Sequence, residues 1–276
     1  MPWLPELFSA PALEQLQARW DWEHLEAVPY YDGLMAGEHD ALIRSFAGVP
    51  VVHDPLHGRF LGVRAFEQYV TELSAWLGER NVAFDRVDDV ITDGRAFEEV
   101  VLHLDGQEGR VDVPVAIIAD RHPDGRLIEL RVYHSMWKVQ GRHVHRPPML
   151  QRDPDLSTAD VIAEYQQALA VGDADGIVAA FEPDGYAREP AGAGYIHRGR
   201  DDLRAFYEQM FSNDGGISLE HCALVDTGRA AAVEYNLVKW GSMELPPEAG
   251  VAVYVRGDSG RLAAARIYDD ADPPVG

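Results

Sequence analysis

The chain has 276 residues, of which 46% are apolar, and this is enough apolar surface for packed cores rather than a disordered chain. Acidic residues outnumber basic residues by 46 to 24, which gives a formal net charge of −22. Such a surface repels phosphate backbones and anionic lipids, so we expect neither nucleic acid nor a membrane as a partner. The single cysteine, Cys222, excludes an intrachain disulfide and favours a reducing compartment.

Residues 1–27 precede the regular pattern of the chain. They lack the basic start and the long apolar run of a secretory signal, and nowhere is the sequence apolar over the length that crosses a bilayer. We therefore expect a cytoplasmic location. Residues 10–27 predict an amphipathic helix, an extension that would cover a sheet or the mouth of a pocket.

The rest of the chain contains one sequence pattern twice. Eleven residues recur, unchanged in type, after an interval of 135 positions. In the first copy they are Tyr30, Leu34, Gly37, Asp40, Phe46, Pro55, Gly125, Arg126, Leu127, Arg131 and Tyr133. An interval that is kept at both ends of so long a segment indicates two copies of one module of domain size. Each copy should hold its own core.

The first domain is predicted over residues 28–139, with helices first and then four strand-like segments at 89–93, 96–104, 111–120 and 126–134. A polar, proline-containing linker follows over residues 140–157. We interpret its histidines, His143 and His145, as solvated linker residues, because neither a cysteine nor a carboxylate accompanies them at the spacing of a metal site.

The second domain is predicted over residues 158–276. A helix that ends at Gly172 is followed by a second short helix, a strand-like piece that reaches Pro190, and a third helix. The remaining strands are predicted at 218–226, 230–240, 250–257 and 261–269. Helices followed by a run of antiparallel strands predict an α+β fold with the helices on one face of a curved sheet.

One run of the second domain, EYQQALAVGDADGIVAAFEPDGYAREP, has a helix tyrosine, a Gly-Asp helix end, an Asp-Gly-Ile-Val helix start and an acid–proline pair. These features resemble the first third of bacterial ketosteroid isomerases at matching spacing, and the closing GRLAAARIYDD resembles their last strand. The first domain is more loosely similar, through YYDGLMAGEHDALIRSF and VVHDPLHG. The chain is thereby identified as a member of the NTF2-like, SnoaL-like superfamily.

This resemblance implies two tandem cone-shaped α+β barrels, each a curved antiparallel sheet wrapped around helices. It also implies that the two copies pack sheet against sheet as an intrachain pseudo-dimer, in place of a homodimer. Each barrel would hold an apolar pocket for a small organic ligand, with an acid at the end of the first strand pointing into it.

The implied catalytic residues follow from the matched motifs. Glu189 stands where the isomerases keep the carboxylate that moves a proton, and Asp54 is its counterpart in the first domain. Tyr165 stands at the tyrosine that donates a hydrogen bond to the developing enolate oxygen, and Tyr30 is its counterpart. This division of labour between a proton-transferring acid and a hydrogen-bond donor is that of ketosteroid isomerase. The alternative for Glu189 is a turn residue whose side chain lies in solvent. The alternative for Tyr165 is a core residue of its helix.

Further candidates lie on the strands. SnoaL-like cyclases place an acid/base residue late in the last strand, where this chain has Asp269 and His134. Glu234 either lines a pocket or faces water, because it alternates with Val233 and Tyr235 along its strand. As further substrate-binding residues we expect Trp240, Phe206 and Phe66.

The sequence departs from the isomerases at their second oxyanion donor, a protonated aspartate. Ala252 and Ile117 occupy the matching positions, and neither side chain can donate a hydrogen bond. Loss of one such donor costs about 10²–10³ in rate, which argues against true steroid isomerase activity.

Two classes of function therefore remain. The first is a cofactor-independent acid/base enzyme, of isomerase, cyclase or epoxide hydrolase type, acting on a small apolar carbonyl or epoxide compound. Epoxide opening needs two carboxylates in a pocket, which Glu189 with Asp269 or Glu234 would supply, and Asp54 with Glu98 or Glu99 in the first domain. The second is a non-catalytic protein that binds a small molecule or a partner. The sequence shows neither metal-ligand spacing nor a phosphate-binding loop, so we expect no metal and no cofactor.

Overall fold

The structure, a computed structural model, describes residues 30–36, 39–92, 94–106 and 109–272. The helix predicted over residues 10–27 lies outside these ranges. Within them the chain forms two units of the same architecture, and none of the helices is long and apolar enough to span a membrane.

The first domain begins with two short helices and continues with a hairpin, a long helix and four longer strands. Its elements are α1 (Tyr30–Ala36), α2 (His39–Arg44), β1 (Val51–Asp54), β2 (Gly58–Leu61), α3 (Val63–Glu79), β3 (Ala83–Ile91), β4 (Arg95–Asp105), β5 (Arg110–Arg121) and β6 (Leu127–Tyr133). The strands hydrogen-bond in the order β2-β1-β6-β5-β4-β3, with β1 parallel to β6 and all other neighbours antiparallel.

The second domain repeats this order after one short linking helix. Its elements, with that helix first, are α4 (Trp137–Gln140), α5 (Asp160–Val171), α6 (Ala174–Ala180), β7 (Phe181–Arg188), β8 (Ile196–Arg198), α7 (Gly199–Met210), β9 (Ile217–Asp226), β10 (Ala230–Trp240), β11 (Met243–Arg256) and β12 (Leu262–Tyr268). The strand order is β8-β7-β12-β11-β10-β9, and β7 is parallel to β12.

The predicted α+β class and the two tandem copies are confirmed. The prediction of antiparallel barrels needs two corrections. Each sheet is mixed, because its first strand pairs in parallel with its last. Each sheet is also open, with β2 and β3 or β8 and β9 at its edges, so neither closes into a barrel.

Local sequence signals determine how the second domain begins. Helix α5 ends at Gly172, as predicted, because this glycine adopts a left-handed φ of 76° that stops the helix. Asp173 then caps α6 by accepting a hydrogen bond from the Gly176 N–H at 2.9 Å. Helix α6 leads directly into β7, and Glu189 is the first residue after that strand.

Each domain has an apolar core between its helices and one face of its sheet. A third apolar cluster joins the opposite faces of the two sheets, so that the domains pack sheet against sheet. Its members are Val90, Phe97, Ala116, Ile118, Tyr133, Val225, Ala230, Ala232, Ala249, Val251, Val253 and Tyr268.

A buried ion pair crosses this apolar interface. The Arg131 guanidinium donates to both carboxylate oxygens of Glu234, with Nε–Oε1 at 2.5 Å and Nη2–Oε2 at 2.9 Å, and the Tyr133 hydroxyl donates to the same carboxylate at 2.7 Å. Arg131 and Glu234 are 0% and 2% exposed. Glu234 therefore neither faces water nor lines a pocket, which corrects both interpretations made from the sequence.

The residues at the equivalent repeat positions form the same arrangement, with the roles of the two domains exchanged. Arg266 of the second domain makes a bidentate pair with the buried Glu99 of the first, and the Tyr268 hydroxyl also donates to Glu99. The interface is thus isologous in the way of a symmetric dimer, although one chain supplies both sides.

The linker packs along the second domain, in contrast to the solvated segment predicted. Arg146 is buried, donates to the Val132 carbonyl, and accepts a hydrogen bond from the Ala249 N–H at 2.8 Å through its own carbonyl. His143 is half-buried with Nδ1 3.1 Å from an Asp270 oxygen, whereas His145 is exposed. The solvated interpretation is therefore wrong for His143.

Removing one partner of the interface ion pair should destabilise the protein strongly. Arg131→Met leaves the Glu234 carboxylate buried without its cation, and we expect the free energy of unfolding to fall by about 3–5 kcal/mol. The matched control is Arg126→Met, which breaks an exposed pair with Asp124. Urea denaturation followed by circular dichroism measures both. An equal, small loss in the two variants would contradict the importance of the interface pair.

Candidate active site

A cavity of about 250 Å³ lies inside the second domain, between its helices and its sheet. Its walls are mostly apolar and include Leu169, Phe206, Met210, Ile217, Leu219, Leu237, Trp240, Ala252 and Ile267. Polar side chains also line it, and they include Glu189, Tyr165, Tyr207, Tyr235, Tyr254, Asp269 and the buried Arg188. An apolar enclosure with a few convergent polar groups is the usual form of a small-molecule site.

Glu189, the acid for which the family resemblance implies a place at a pocket, lies on the cavity wall. Its Oε1 atom is 2.7 Å from Nε2 of His197, and both side chains are partly buried. The hairpin of β7 and β8 places them side by side, since Ala187 pairs with His197 across it. The His197 ring stacks on Phe206, with centroids 3.9 Å apart and planes at 8°.

Tyr165 reaches the cavity from α5, and its hydroxyl is 2.7 Å from the hydroxyl of Tyr207 on α7. Both side chains are buried. Burial raises the pKa of Tyr165 well above its ordinary value and also raises the pKa of Tyr207. Both hydroxyls therefore stay protonated and act as hydrogen-bond donors.

Asp269 follows β12 and lies on the same cavity, where the Tyr235 hydroxyl donates to its Oδ2 at 2.7 Å. Burial raises the pKa of Asp269 to about 6. The hydrogen bond from Tyr235 works against this shift, while the negative charges of Glu248 and Asp270 add to it. The carboxyl group therefore exchanges its proton close to neutral pH.

The expected apolar residues divide between cavity and core. Trp240 and Phe206 line the cavity, and the Trp240 indole N–H is fixed by the Met210 carbonyl at 2.8 Å. Phe66 lies instead in the core of the first domain, 0% exposed and packed against Phe46 at 5.4 Å between ring centroids. The prediction that Phe66 binds substrate is corrected, because its ring is enclosed by other side chains.

The first domain holds its acid differently. Oδ1 of Asp54 accepts from the backbone N–H groups of Leu56 and His57 and is 2.8 Å from His57 Nδ1, while Oδ2 accepts from the Tyr69 hydroxyl at 2.8 Å. Asp54 is 5% exposed, and burial alone would raise its pKa. The bonds from His57 and Tyr69 and the charge of His134 outweigh burial, so the pKa of Asp54 is lowered.

The other first-domain candidates surround this acid. The Tyr30 hydroxyl hydrogen-bonds the Tyr69 hydroxyl, and burial raises the pKa of Tyr30. Burial lowers the pKa of His134, against the opposing charge of Asp54. Tyr30, Asp54 and His134 are thus brought together, but the acid is engaged at both oxygens by groups of its own domain.

Three side chains that hydrogen-bond to predicted site residues were missed in the sequence, and of these Tyr207 and Tyr235 line the cavity. His197 and Tyr207 each hydrogen-bond a predicted residue, and Tyr235 holds Asp269. The sequence contains a signal for each of them. The glycine-containing turn after Pro190 indicates a hairpin that brings His197 back to Glu189. The helical spacing of Leu203 and Tyr207 places both on one face of their helix. Strand alternation places Tyr235 opposite Glu234.

Part of the cavity rim comes from outside the second domain. Ser135, Trp137 and His143 belong to the segment that follows β6, and all three line the cavity. In the described ranges, no group of three or more His, Cys, Asp or Glu side chains is placed to bind a metal ion.

The chain was compared with known proteins. Residues 162–265 match the family model of the SnoaL-like domain. No curated protein matches the chain. Similar solved structures include a putative polyketide cyclase from Sinorhizobium meliloti, at 20% identity, covering 40% of this chain and 94% of that one, with a TM-score of 0.32.

Two further structures are similar at lower identity. One is an epoxide hydrolase/cyclase-like enzyme of pyran ring formation in the polyether salinomycin, with 13% identity, coverage of 46% and 94%, and a TM-score of 0.33. The other is a hypothetical protein with a ketosteroid isomerase-like fold from Catenulispora acidiphila, in complex with trimethylamine, with 12% identity, coverage of 42% and 90%, and a TM-score of 0.36.

The raised pKa of Asp269 predicts a pH-dependent stability. A carboxyl group whose pKa is higher in the folded state stabilises most below its unfolded pKa and loses this effect as pH rises through about 6. The stability of Asp269→Asn relative to the parent should therefore increase by about 1 kcal/mol between pH 5 and pH 8.

Asp124→Asn is the matched control for this measurement. Hydrogen bonds from Arg126 lower the pKa of the exposed Asp124, so its stabilising effect is already complete above its unfolded pKa and stays constant between pH 5 and pH 8. Urea denaturation at the two pH values gives both differences. A pH-independent difference for Asp269→Asn would contradict the assignment.

Proposed function

We propose that this chain, whose second unit is a SnoaL-like domain, is an acid/base enzyme that acts without a cofactor on a small apolar carbonyl or epoxide compound. The observation that carries the proposal is the presence of two carboxyl groups, Glu189 and Asp269, on the walls of one mostly apolar cavity. The chemistry would be of isomerase, cyclase or epoxide hydrolase type.

Asp269 is suited to move a proton. With a pKa of about 6, it is present in both protonation states near neutral pH, which is the condition for efficient general acid and general base catalysis. The hydroxyl of Tyr235 donates to Oδ2 and holds the carboxyl group in place at the cavity.

Glu189 provides a second, differently held carboxyl group. Its partner His197 can take up or return a proton, so the two side chains together can deprotonate a water molecule or a carbon next to a carbonyl. In epoxide opening, Asp269 would give its proton to the epoxide oxygen while the Glu189–His197 pair accepts the proton of the attacking water. The proton count is then balanced within the cavity.

The hydroxyl groups of Tyr165 and Tyr207 are suited to stabilise the negative charge that develops on the oxygen of a reacting carbonyl or epoxide. When one hydroxyl donates to the other, the accepting hydroxyl still has its own hydrogen, which can be donated to a ligand oxygen. The site lacks a donor at Ala252, and the Tyr207 hydroxyl offers a substitute, whereas the hydrogen of the Tyr235 hydroxyl is already donated to Asp269. This supports general carbonyl chemistry more than steroid isomerisation.

The binding-only alternative is favoured by one observation in the first domain. There Asp54 is hydrogen-bonded at both oxygens and buried near aromatic rings, among which Phe60 packs against Tyr69 with centroids 4.3 Å apart and planes at 30°. An acid held in this way is a structural element, so we assign catalysis to the second domain alone.

Turnover should depend on both second-domain carboxyl groups. The parent would be incubated with a panel of small apolar ketones in D₂O, with deuterium uptake next to the carbonyl followed by NMR, and with small apolar epoxides, with diol formation followed by chromatography. Glu189→Gln and Asp269→Asn should each lower kcat about 10²-fold or more, because each removes a proton-transfer group. Tyr165→Phe should lower kcat with little change in KM.

Glu164→Gln is the matched control, since Glu164 is an exposed residue of α5 next to Tyr165. It should leave turnover unchanged. Unchanged turnover in Glu189→Gln and Asp269→Asn would remove these groups from the mechanism. Binding of the panel compounds without exchange or opening would favour the non-catalytic alternative.

A further inference from the structure

The rim of the second-domain cavity is held in place by one buried carboxylate. Asp270 is 5% exposed and follows directly after Asp269. It accepts from the backbone N–H groups of Met136 at 3.1 Å and Val144 at 2.8 Å, and from the Ser135 hydroxyl at 2.5 Å. The second domain thereby fixes both ends of a segment, residues 135–144, that begins where the first domain ends.

This rim segment, residues 135–144, presents two rings to the cavity. Trp137 lies parallel to His143, with centroids 6.1 Å apart and planes at 8°, and it meets Tyr195 of the second domain edge to face at 5.6 Å. All three rings line the cavity. The apolar wall is therefore completed only where the two domains meet.

A second, wider recess of about 630 Å³ lies outside this rim. It shares Trp137, His143, Asp270 and Ala271 with the inner cavity, so these residues form the common boundary of the two spaces. The outer recess is more polar, with Arg142 and Asp272 among its lining residues. A molecule longer than the inner cavity would pass the rim and place its far end among polar groups.

The hydrogen bonds of His143 define what that far end should be. The Ser135 hydroxyl oxygen accepts from the Trp137 N–H at 3.1 Å, so its own hydrogen points to Asp270, and Asp270 accepts throughout. The Nδ1 atom of His143, 3.1 Å from Asp270, must then carry a hydrogen. The Nε2 atom lies 4.0 Å from an oxygen of the exposed Asp272, which is beyond hydrogen-bond distance. In the neutral ring Nε2 is therefore an acceptor, which fits a hydroxyl group.

We propose that the binding site belongs to both domains and takes an elongated alcohol, whose apolar body fills the inner cavity and whose hydroxyl donates to His143 at the rim. Trp137 is the residue that determines specificity for the apolar body. The proposal rests on the proposed function only in taking this cavity as the substrate site, since binding requires neither Glu189 nor Asp269 to transfer a proton.

The test uses two ligands that differ by one hydroxyl group. Naphthalene carrying a hydroxyethyl group and the ethylnaphthalene of the same attachment position would be titrated into the full chain by isothermal calorimetry. The alcohol should bind about three- to tenfold more tightly than the hydrocarbon, which is the range of one net hydrogen bond. His143→Phe keeps a ring beside Trp137 but removes the acceptor, and it should abolish this preference.

The second variant tests the apolar wall. Trp137→Ala should weaken binding of both ligands about tenfold, whereas Trp76→Ala, a half-buried tryptophan of α3 in the first domain, should leave both affinities unchanged. Circular dichroism and the unfolding midpoint verify that each variant is folded. If one of the variants His143→Phe and Trp137→Ala does not fold, the binding measurements on the other variant still test the proposal.

Three results would overturn the proposal: neither ligand binds the parent, the hydrocarbon binds as tightly as the alcohol, or the preference for the alcohol persists in His143→Phe. Failure of the catalytic proposal looks different. In that case the alcohol binds with the expected dependence on His143 and Trp137, but none of the ketones or epoxides is turned over.

Discussion

The molecule depends on two buried arginine–glutamate pairs that cross between its sheets. A guanidinium and a carboxylate can be removed from water only if each meets an opposite charge in good geometry, and here each partner lies in the other domain. Arg131 and Arg266 thereby fix how the two sheets face one another within an otherwise apolar contact. The residues that follow β6 then hydrogen-bond to Asp270 of the second domain. The rim segment therefore lies over the cavity because the two domains are paired.

The two copies differ in how their acids are held. Counted from Gly62 before α3 and from Gly199 at the start of α7, Tyr69 and Phe206 occupy matching positions, as do Phe60 and His197. The rings of each pair are in contact, tilted by 30° in the first domain and stacked in the second, but the polar group lies on the helix in the first domain and on the strand in the second. In the first domain the helix hydroxyl satisfies Asp54, whereas in the second the strand imidazole holds Glu189 at the edge of an open cavity.

Much of this arrangement follows from sequence patterns, and the remainder has a physical reason. The helix end at Gly172 follows from local chain geometry, the two copies from the repeat interval, and the position of Glu189 from the family resemblance. Neither position predicted for Glu234 is correct, because strand alternation identifies the two faces of a sheet without showing which face packs against another domain. Phe66 could not be separated from Phe206 by residue type, since both are apolar positions on corresponding helices. The contribution of Trp137 depends on the pairing of domains, which no local pattern encodes.

The contact between Ser135 and Asp270 explains what covalent duplication makes available. These two residues are 135 positions apart, so they occupy equivalent positions in the two copies, and their side chains meet at 2.5 Å. In a homodimer the same contact would join two identical residues. Two aspartates would place like charges together in a buried place, and two serines would offer no carboxylate to the backbone N–H groups of Met136 and Val144. Fusion of the copies lets one position carry a donor and the other an acceptor, and this difference allows the first domain to close the site of the second.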